Sequence, residues 1–231
     1  MDLSVIPIDR LDLPLMSWPW PFAQARRGEI DAHFATLRVS KPQLWNGRTL
    51  LAKDCRVEGR VIAGACFETD YASFLAWRDW GFPDRSVTNC FAMGALQSSD
   101  GAFVLGVMGA HTANAGLVYF PAGTPEPADA AGGRLDLAGS IRREIAEEAG
   151  LGPDDYVGEP GWHAVPTGPR MALIKMLRAR ESAAELSRRV RAHIAADQMP
   201  ELADVRIVRG PADFHTDMPP FVVAYLAHML R

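Results

Sequence analysis

Glu147 and Glu148 follow Glu144 at three and four positions in the run Arg143-Glu144-Ile145-Ala146-Glu147-Glu148-Ala149-Gly150-Leu151. Residues at those spacings share one face of an α-helix, so three carboxylates crowd along a single stripe. Like charges so placed cost about 0.2–0.5 kcal/mol per pair. A bound cation removes that cost, and carboxylate oxygens suit hard divalent ions, Mg²⁺ foremost. Arg143 stands four residues before Glu147 and can pair with it. The chemistry open to this face is therefore divalent-cation binding; the plainer alternative is a solvated charged face ended by Gly150.

Other faces of the helix must seat it. Ile141, Ile145 and Ala149 form a flank that can bury, while Arg142, Ala146 and Gly139 lie opposite the carboxylates. Asp136 is a competent N-cap near its start. Ahead of it, the pattern predicts strands over 91–96, 102–108 and 117–120, a turn at Ser98-Ser99-Asp100-Gly101, and a loop at Pro121-Ala122-Gly123. Behind it come a strand over 171–178, an amphipathic helix over 182–196 with Leu186, Val190 and Ile194 inward, a strand over 205–208 and a closing helix over 220–230. This alternation predicts an α/β fold with a mixed β-sheet between helices.

Upstream, residues 1–22 are dense in proline and tryptophan (Pro7, Pro14, Trp18, Pro19, Trp20, Pro21). Such a segment lies extended across a folded body, its tryptophans acting as packing anchors. A helix is expected over 24–37, a tight turn at Asn46-Gly47, strands over 49–52 and 55–67, and a helix over 70–80. A soft boundary at 85–88 divides the chain into a small α+β N-terminal region, 1–87, and a second domain, 88–231.

The order Arg-Glu-apolar-x-Glu-Glu-x-Gly-apolar over 143–151 resembles the second half of the Nudix box, found in hydrolases of nucleoside diphosphates linked to another moiety. The resemblance implies a Nudix-type α/β/α sandwich for 88–231. It also implies metal-assisted hydrolysis. Glu144, Glu147 and Glu148 would hold Mg²⁺ (or Mn²⁺), and Arg143 would orient them. A carboxylate outside the inner metal shell would take a proton from water, with a box glutamate, Glu201 or Glu181 as candidates. Gly123 stands where the family's box begins, so its carbonyl is a candidate metal ligand; a simple turn glycine is the alternative. Between Gly123 and Arg143 the chain departs from the family pattern through an insertion around 130–134. Asp129 then either replaces the family's glutamate or is a polar residue of a surface loop.

His111, Thr112 and Asn114 lie in a loop where they can donate hydrogen bonds to phosphate or sugar hydroxyls. Leu44-Trp45-Asn46-Gly47 and Thr69-Asp70-Tyr71-Ala72-Ser73-Phe74-Leu75 are similar to stretches of the eukaryotic Nudix hydrolases specific for UDP-glucose and UDP-galactose. That likeness implies an aromatic such as Tyr71, Trp77 or Phe82 against the base. The expected substrate is thus a small nucleoside diphosphate derivative, a nucleotide sugar such as UDP-glucose. ADP-ribose or an NADH-type dinucleotide is the alternative substrate. A non-catalytic Nudix-fold nucleotide-binding module is the alternative class.

With 48% hydrophobic and 23% charged residues, the 231-residue chain has the composition of an ordinary soluble globular protein. Its net charge of −4 argues against nucleic-acid or anionic-membrane partners. Cys55, Cys66 and Cys90 form no Cys-x-x-Cys pair, so buried reduced thiols are expected, in keeping with a cytoplasmic location. Residues 1–10 lack the pattern of a signal peptide, and no run is apolar enough to span a bilayer. A homodimer is left open.

Overall fold

A computed structural model of the chain describes residues 3–231. Met1 and Asp2, part of the stretch read as lacking a signal peptide, lie outside the described residues. Among the described residues, no helix is long and apolar enough to cross a membrane. The chain forms two compact units. One, here the aromatic unit, comprises Leu11–Cys90 and Thr124–Asp136; the other, the carboxylate unit, comprises residues 3–10, Phe91–Gly123 and Leu137–Arg231.

In the aromatic unit, strands Arg48–Glu58 and Val61–Asp70 form a long antiparallel hairpin, paired from Arg48↔Asp70 to Glu58↔Val61. Its turn falls at Gly59-Arg60, where Gly59 takes φ +60°, a conformation glycine adopts without a Cβ penalty. The expected turn at Asn46-Gly47 serves another purpose. Asn46 Oδ1 accepts the Ala72 N–H at 2.8 Å, and the Gly47 carbonyl accepts the Tyr71 N–H at 2.9 Å. Both satisfy orphan donors at the start of helix Tyr71–Asp79. Asp70 caps the same end, accepting the Ser73 N–H at 3.0 Å. The helix buries Phe74, Leu75 and Trp77 against Trp20, Leu51, Phe67 and Val87. Trp20 donates to Asp84 Oδ2 at 2.8 Å and Trp77 to the Asp84 carbonyl at 2.9 Å, so both indoles are buried without an orphaned N–H. The tryptophan-rich segment does act as a packing anchor. The single helix expected over 24–37 is two, Pro21–Ala25 and Arg27–Ser40.

The insertion is more ordered than a surface loop. Ala130–Ala131 and Arg134–Leu135 form a small hairpin, closed by Gly132 and Gly133 with φ of +57° and +72°, as a two-residue hairpin turn of the primed type requires. Leu135 N–H donates to the Leu13 carbonyl and Leu15 N–H to the Gly133 carbonyl, at 3.0 and 2.9 Å.

In the carboxylate unit, Arg170–Ala179 neighbours Val87–Gln97 and pairs antiparallel with Trp162–Thr167, which in turn pairs with Ile6–Ile8. Ile6–Ile8 sits at the sheet's edge, where Pro7 removes no needed ladder donor. Phe103–Met108 pairs with Leu202–Val208, with Val118–Tyr119, and with the end of Val87–Gln97. Tyr156–Gly158, Trp162–Thr167 and Ile6–Ile8 were not expected as strands; each is short or interrupted by proline.

Side chains alternate across a strand, and Val87–Gln97 shows which layer each helix occupies. Phe91 meets Phe221 of helix Pro220–Met229 at 5.4 Å between ring centroids. Three residues on, Gly94 lies under the carboxylate helix, Leu137–Ala149, where an added Cβ would fall 2.5 Å from Ile145 Cδ1 and 3.0 Å from Ile141 Cγ2. Helices therefore cover both faces, and the fold is α/β with a mixed sheet.

Candidate active site

The carboxylate helix begins at Leu137, directly after Asp136. Ile141, Ile145 and Ala149 are buried, and Arg142 and Ala146 are exposed. It ends at Gly150, with φ +66°. The Gly150 N–H returns to the Ala146 carbonyl at 3.1 Å, the αL form of C-cap. His193, from helix Ala183–Ala196, donates through Nε2 to the Glu147 carbonyl at 2.8 Å. One orphan carbonyl of the last turn is thereby satisfied.

Sharing a helical stripe does not give the three glutamates the same surroundings. The Glu147 side chain is 59% exposed and that of Glu144 12%, whereas Glu148 is 5% exposed. Arg143 binds the first two, at 2.9 Å to Glu144 Oε1 and 3.2 Å to Glu147 Oε2. Glu144 lies directly against Gly123: a Cβ there would fall 2.2 Å from Glu144 Oε1. Gly123 stands in the short strand Ala122–Gly123, paired with Ala92, and its lack of a side chain lets the Glu144 carboxylate lie against the backbone.

Neither carboxylate oxygen of Glu148 has a hydrogen-bond partner. Burial first, then the charges of Glu144, Glu201 and Glu147, push its carboxyl up to about 9; the nearby Ala122 N–H offsets this only in part and falls short of hydrogen-bond geometry. At neutral pH, with no cation present, Glu148 holds a proton.

Glu201 comes to this cluster from another part of the chain. Strand Leu202–Val208 follows it, and its carbonyl accepts the Gly109 N–H at 2.7 Å. Glu181, the other candidate outside the helix, is instead held by Arg189 at 2.9 Å, which also binds Asp155. The Tyr119 hydroxyl accepts a hydrogen bond from Asn114 Nδ2 at 2.9 Å. Burial, with Glu148, Glu201 and Glu144 adding to it, pushes that hydroxyl well above the usual phenol range. Sequence reasoning missed Tyr119; the available signal was a hydroxyl on an otherwise apolar strand just before Gly123.

In the neighbouring loop, Thr112 Oγ1 donates to the Gly109 carbonyl at 2.9 Å and serves the turn. His111 is exposed, with its ring against Gly109, beside the Glu201 backbone. Tyr71 belongs to the aromatic unit, its ring 5.7 Å from that of Phe74. Trp77 is fully buried there, with Phe82 edge-on at 4.7 Å, so it has no free face for a base. Asp129 is buried and accepts the Glu126 N–H at 3.0 Å, closing its own turn.

Together, Glu144, Glu148, Glu201 and the backbone at Ala122-Gly123 offer hard oxygen donors around one buried carboxyl group. Among the described residues, no group of three or more His, Cys, Asp or Glu side chains is arranged to hold a metal ion. Arg143 holds Glu144 and Glu147 in the arrangement seen. The orphaned oxygens of Glu148 and the all-oxygen donor set fit a hard divalent cation.

No family model matches this chain, and no curated protein matches it. Among solved structures it is similar to RenU, a Nudix hydrolase from M. smegmatis, at 15% identity over 61% of this chain and 81% of that one, with a TM-score of 0.39. A MutT protein from Methanosarcina mazei Go1 aligns at 16% identity over 62% of this chain and 92% of that one, TM-score 0.41. A bifunctional NMN adenylyltransferase/ADP ribose pyrophosphatase from Francisella tularensis aligns at 14% identity over 68% of this chain and 44% of that one, TM-score 0.44. At such scores these likenesses carry no functional argument.

Proposed function

We infer that this chain is a Nudix-type hydrolase that uses Mg²⁺ or Mn²⁺ to cleave a phosphoanhydride bond in a nucleoside diphosphate linked to another moiety. One observation carries the reading. A box glutamate, Glu148, is buried beside Glu144 and Glu201 with neither oxygen hydrogen-bonded. Burying such a group without a partner costs roughly 1–3 kcal/mol, more once it ionises, and structure alone recovers none of it.

Glu144 and Glu148, with the backbone at Gly123, would hold the cation. When bound, it would neutralise diphosphate oxygens and lower the pKa of water. Glu148 would release its proton to solvent when a cation is bound beside it. Arg143 keeps Glu144 and Glu147 oriented. Glu201, exposed and near Glu148, would accept a proton from the attacking water on its carboxylate. Tyr119 stays neutral at working pH and keeps its proton, braced by Asn114. His111 lies on the same loop and is a donor for phosphate or sugar oxygens.

For the substrate, we favour a nucleotide sugar such as UDP-glucose. Support comes from the two stretches that resemble the UDP-sugar hydrolases. They meet in the fold, since Asn46 and Gly47 accept the first N–H groups of the helix that begins at Tyr71.

Incubation with Mg²⁺ and, separately, UDP-glucose, ADP-ribose, NADH and a dinucleoside polyphosphate tests both levels. UMP release from UDP-glucose is expected, falling on the order of 10²–10⁴-fold in Glu148→Gln with the fold retained. Turnover of another compound without UMP release would replace the uridine reading. Near-normal turnover in Glu148→Gln would remove the site itself.

A further inference from the structure

All three cysteines lie in the aromatic unit, and two of them meet. Cys55 Sγ stands 3.3 Å from Cys90 Sγ, one on strand Arg48–Glu58 and the other on Val87–Gln97. The backbone arranges this contact. Pairing with Val61–Asp70 runs Lys53↔Ala65 and then Arg56↔Ala63, so an extra residue bulges out of the Cys55 strand. Asp54 turns the chain there with φ +52°, a conformation uncommon outside glycine, and its N–H donates to the Ser86 carbonyl at 2.8 Å. Bulges re-aim side chains, and here the residue after Asp54 is turned onto Cys90. Opposite, Gly64 leaves room: an added Cβ would lie 3.0 Å from Cys55 Cα.

The two thiols differ in surroundings. Cys55 is partly exposed, while Cys90 is buried. The hydrogen bond from Cys90 pulls the Cys55 thiol below its ordinary range, with Arg56 assisting against burial; Cys90 moves the opposite way. Cys66 is buried, and its thiol is pushed up to about 12, chiefly by burial. A partly exposed thiol whose ionisation is eased, in contact with a buried thiol, is the arrangement of an attacking and a resolving cysteine.

We propose that Cys55 and Cys90 form an oxidation site at which hydrogen peroxide converts the thiol pair into a reversible disulfide. The Cys55 sulfur attacks a peroxide oxygen, the O–O bond breaks, and the departing hydroxide takes a proton to become water. Cys55 then carries a sulfenic acid. The Cys90 sulfur attacks the Cys55 sulfur, the S–O bond breaks, and the hydroxyl leaves as water with the Cys90 proton. Two thiols are oxidised by two electrons, and one peroxide is reduced to two waters. The new bond would staple a short ladder, since the two strands pair at Ala52↔Thr88 and Lys53↔Val87.

Full-length protein would be treated with hydrogen peroxide under native conditions, alkylated, and digested without reduction for mass spectrometry. The expected result is a loss of two hydrogen masses and a Cys55–Cys90 cross-linked peptide, both reversed by dithiothreitol. Cys66→Ala should behave the same, and Cys90→Ser should give no cross-link while Cys55 still oxidises. Recovery of Cys55 and Cys90 as free alkylated thiols overturns the proposal. So does a cross-link through Cys66, or sulfinic acid at Cys55 in the unmutated chain.

Discussion

Glu148 is a carboxyl group held where ionisation is unfavourable, and its pH behaviour follows with a definite sign. Unfolded, it titrates near 4.3; folded and metal-free, near 9. Below about pH 4 both states are protonated and the group contributes no slope. Between about pH 5 and 9 the folded chain holds a proton that the unfolded chain has released, so stability falls as pH rises. The limiting slope is about 1.4 kcal/mol per pH unit. Denaturant unfolding in a chelator across this range should show that decline, and Glu148→Gln should flatten it. Equal slopes for the two proteins would mean that Glu148 is not buried as described. At this scale the sequence shows that the acids share a stripe, because helical spacing is local. It cannot show that Glu148 is buried while Glu147 is 59% exposed, because that depends on what packs above each.

Among the elements, the carboxylate helix is seated through a glycine on the strand beneath it. An alanine at Gly94 would put its Cβ 2.5 Å from Ile145 Cδ1 and 2.9 Å from Leu177 Cδ1. All of these neighbours are buried, so Gly94→Ala should cost about 1–3 kcal/mol by overpacking, read as a lower urea midpoint. Turnover should fall too, since the helix carries Glu144 and Glu148. Unchanged stability would show that the helix is not seated so closely. Periodicity found this helix and those over 71–79 and 183–196 to within a residue or two, because each buries one regular face. It read 55–67 as one strand, where the chain turns at Gly59-Arg60 between Arg48–Glu58 and Val61–Asp70. Asn46-Gly47 has strong local turn preference, but its acceptors serve helix Tyr71–Asp79. The hairpin in the insertion was equally hidden, since its strands are two residues each.

For the whole molecule, cation binding and folding should be coupled, because the unfolded chain has no assembled acid cluster. At a Mg²⁺ concentration a hundredfold above Kd, the folded state should gain about 2.7 kcal/mol, seen as a higher Tm than in a chelator. Proton release on binding should accompany it at neutral pH, and Glu148→Gln should lose both effects. An identical Tm with and without Mg²⁺ or Mn²⁺ would sink the metal reading. The sequence by itself determined the carboxylate helix, its stop at Gly150 and the alternation of strands and helices. These rest on spacings of a few residues, within which backbone geometry dictates neighbours. Only the tertiary structure decided that Glu201 rather than Glu181 joins the cluster, that Tyr119 and Gly123 border it, and that Cys55 meets Cys90. Those outcomes join segments far apart in the chain, and packing between faces, unlike helical period, leaves no local trace in the residues it brings together.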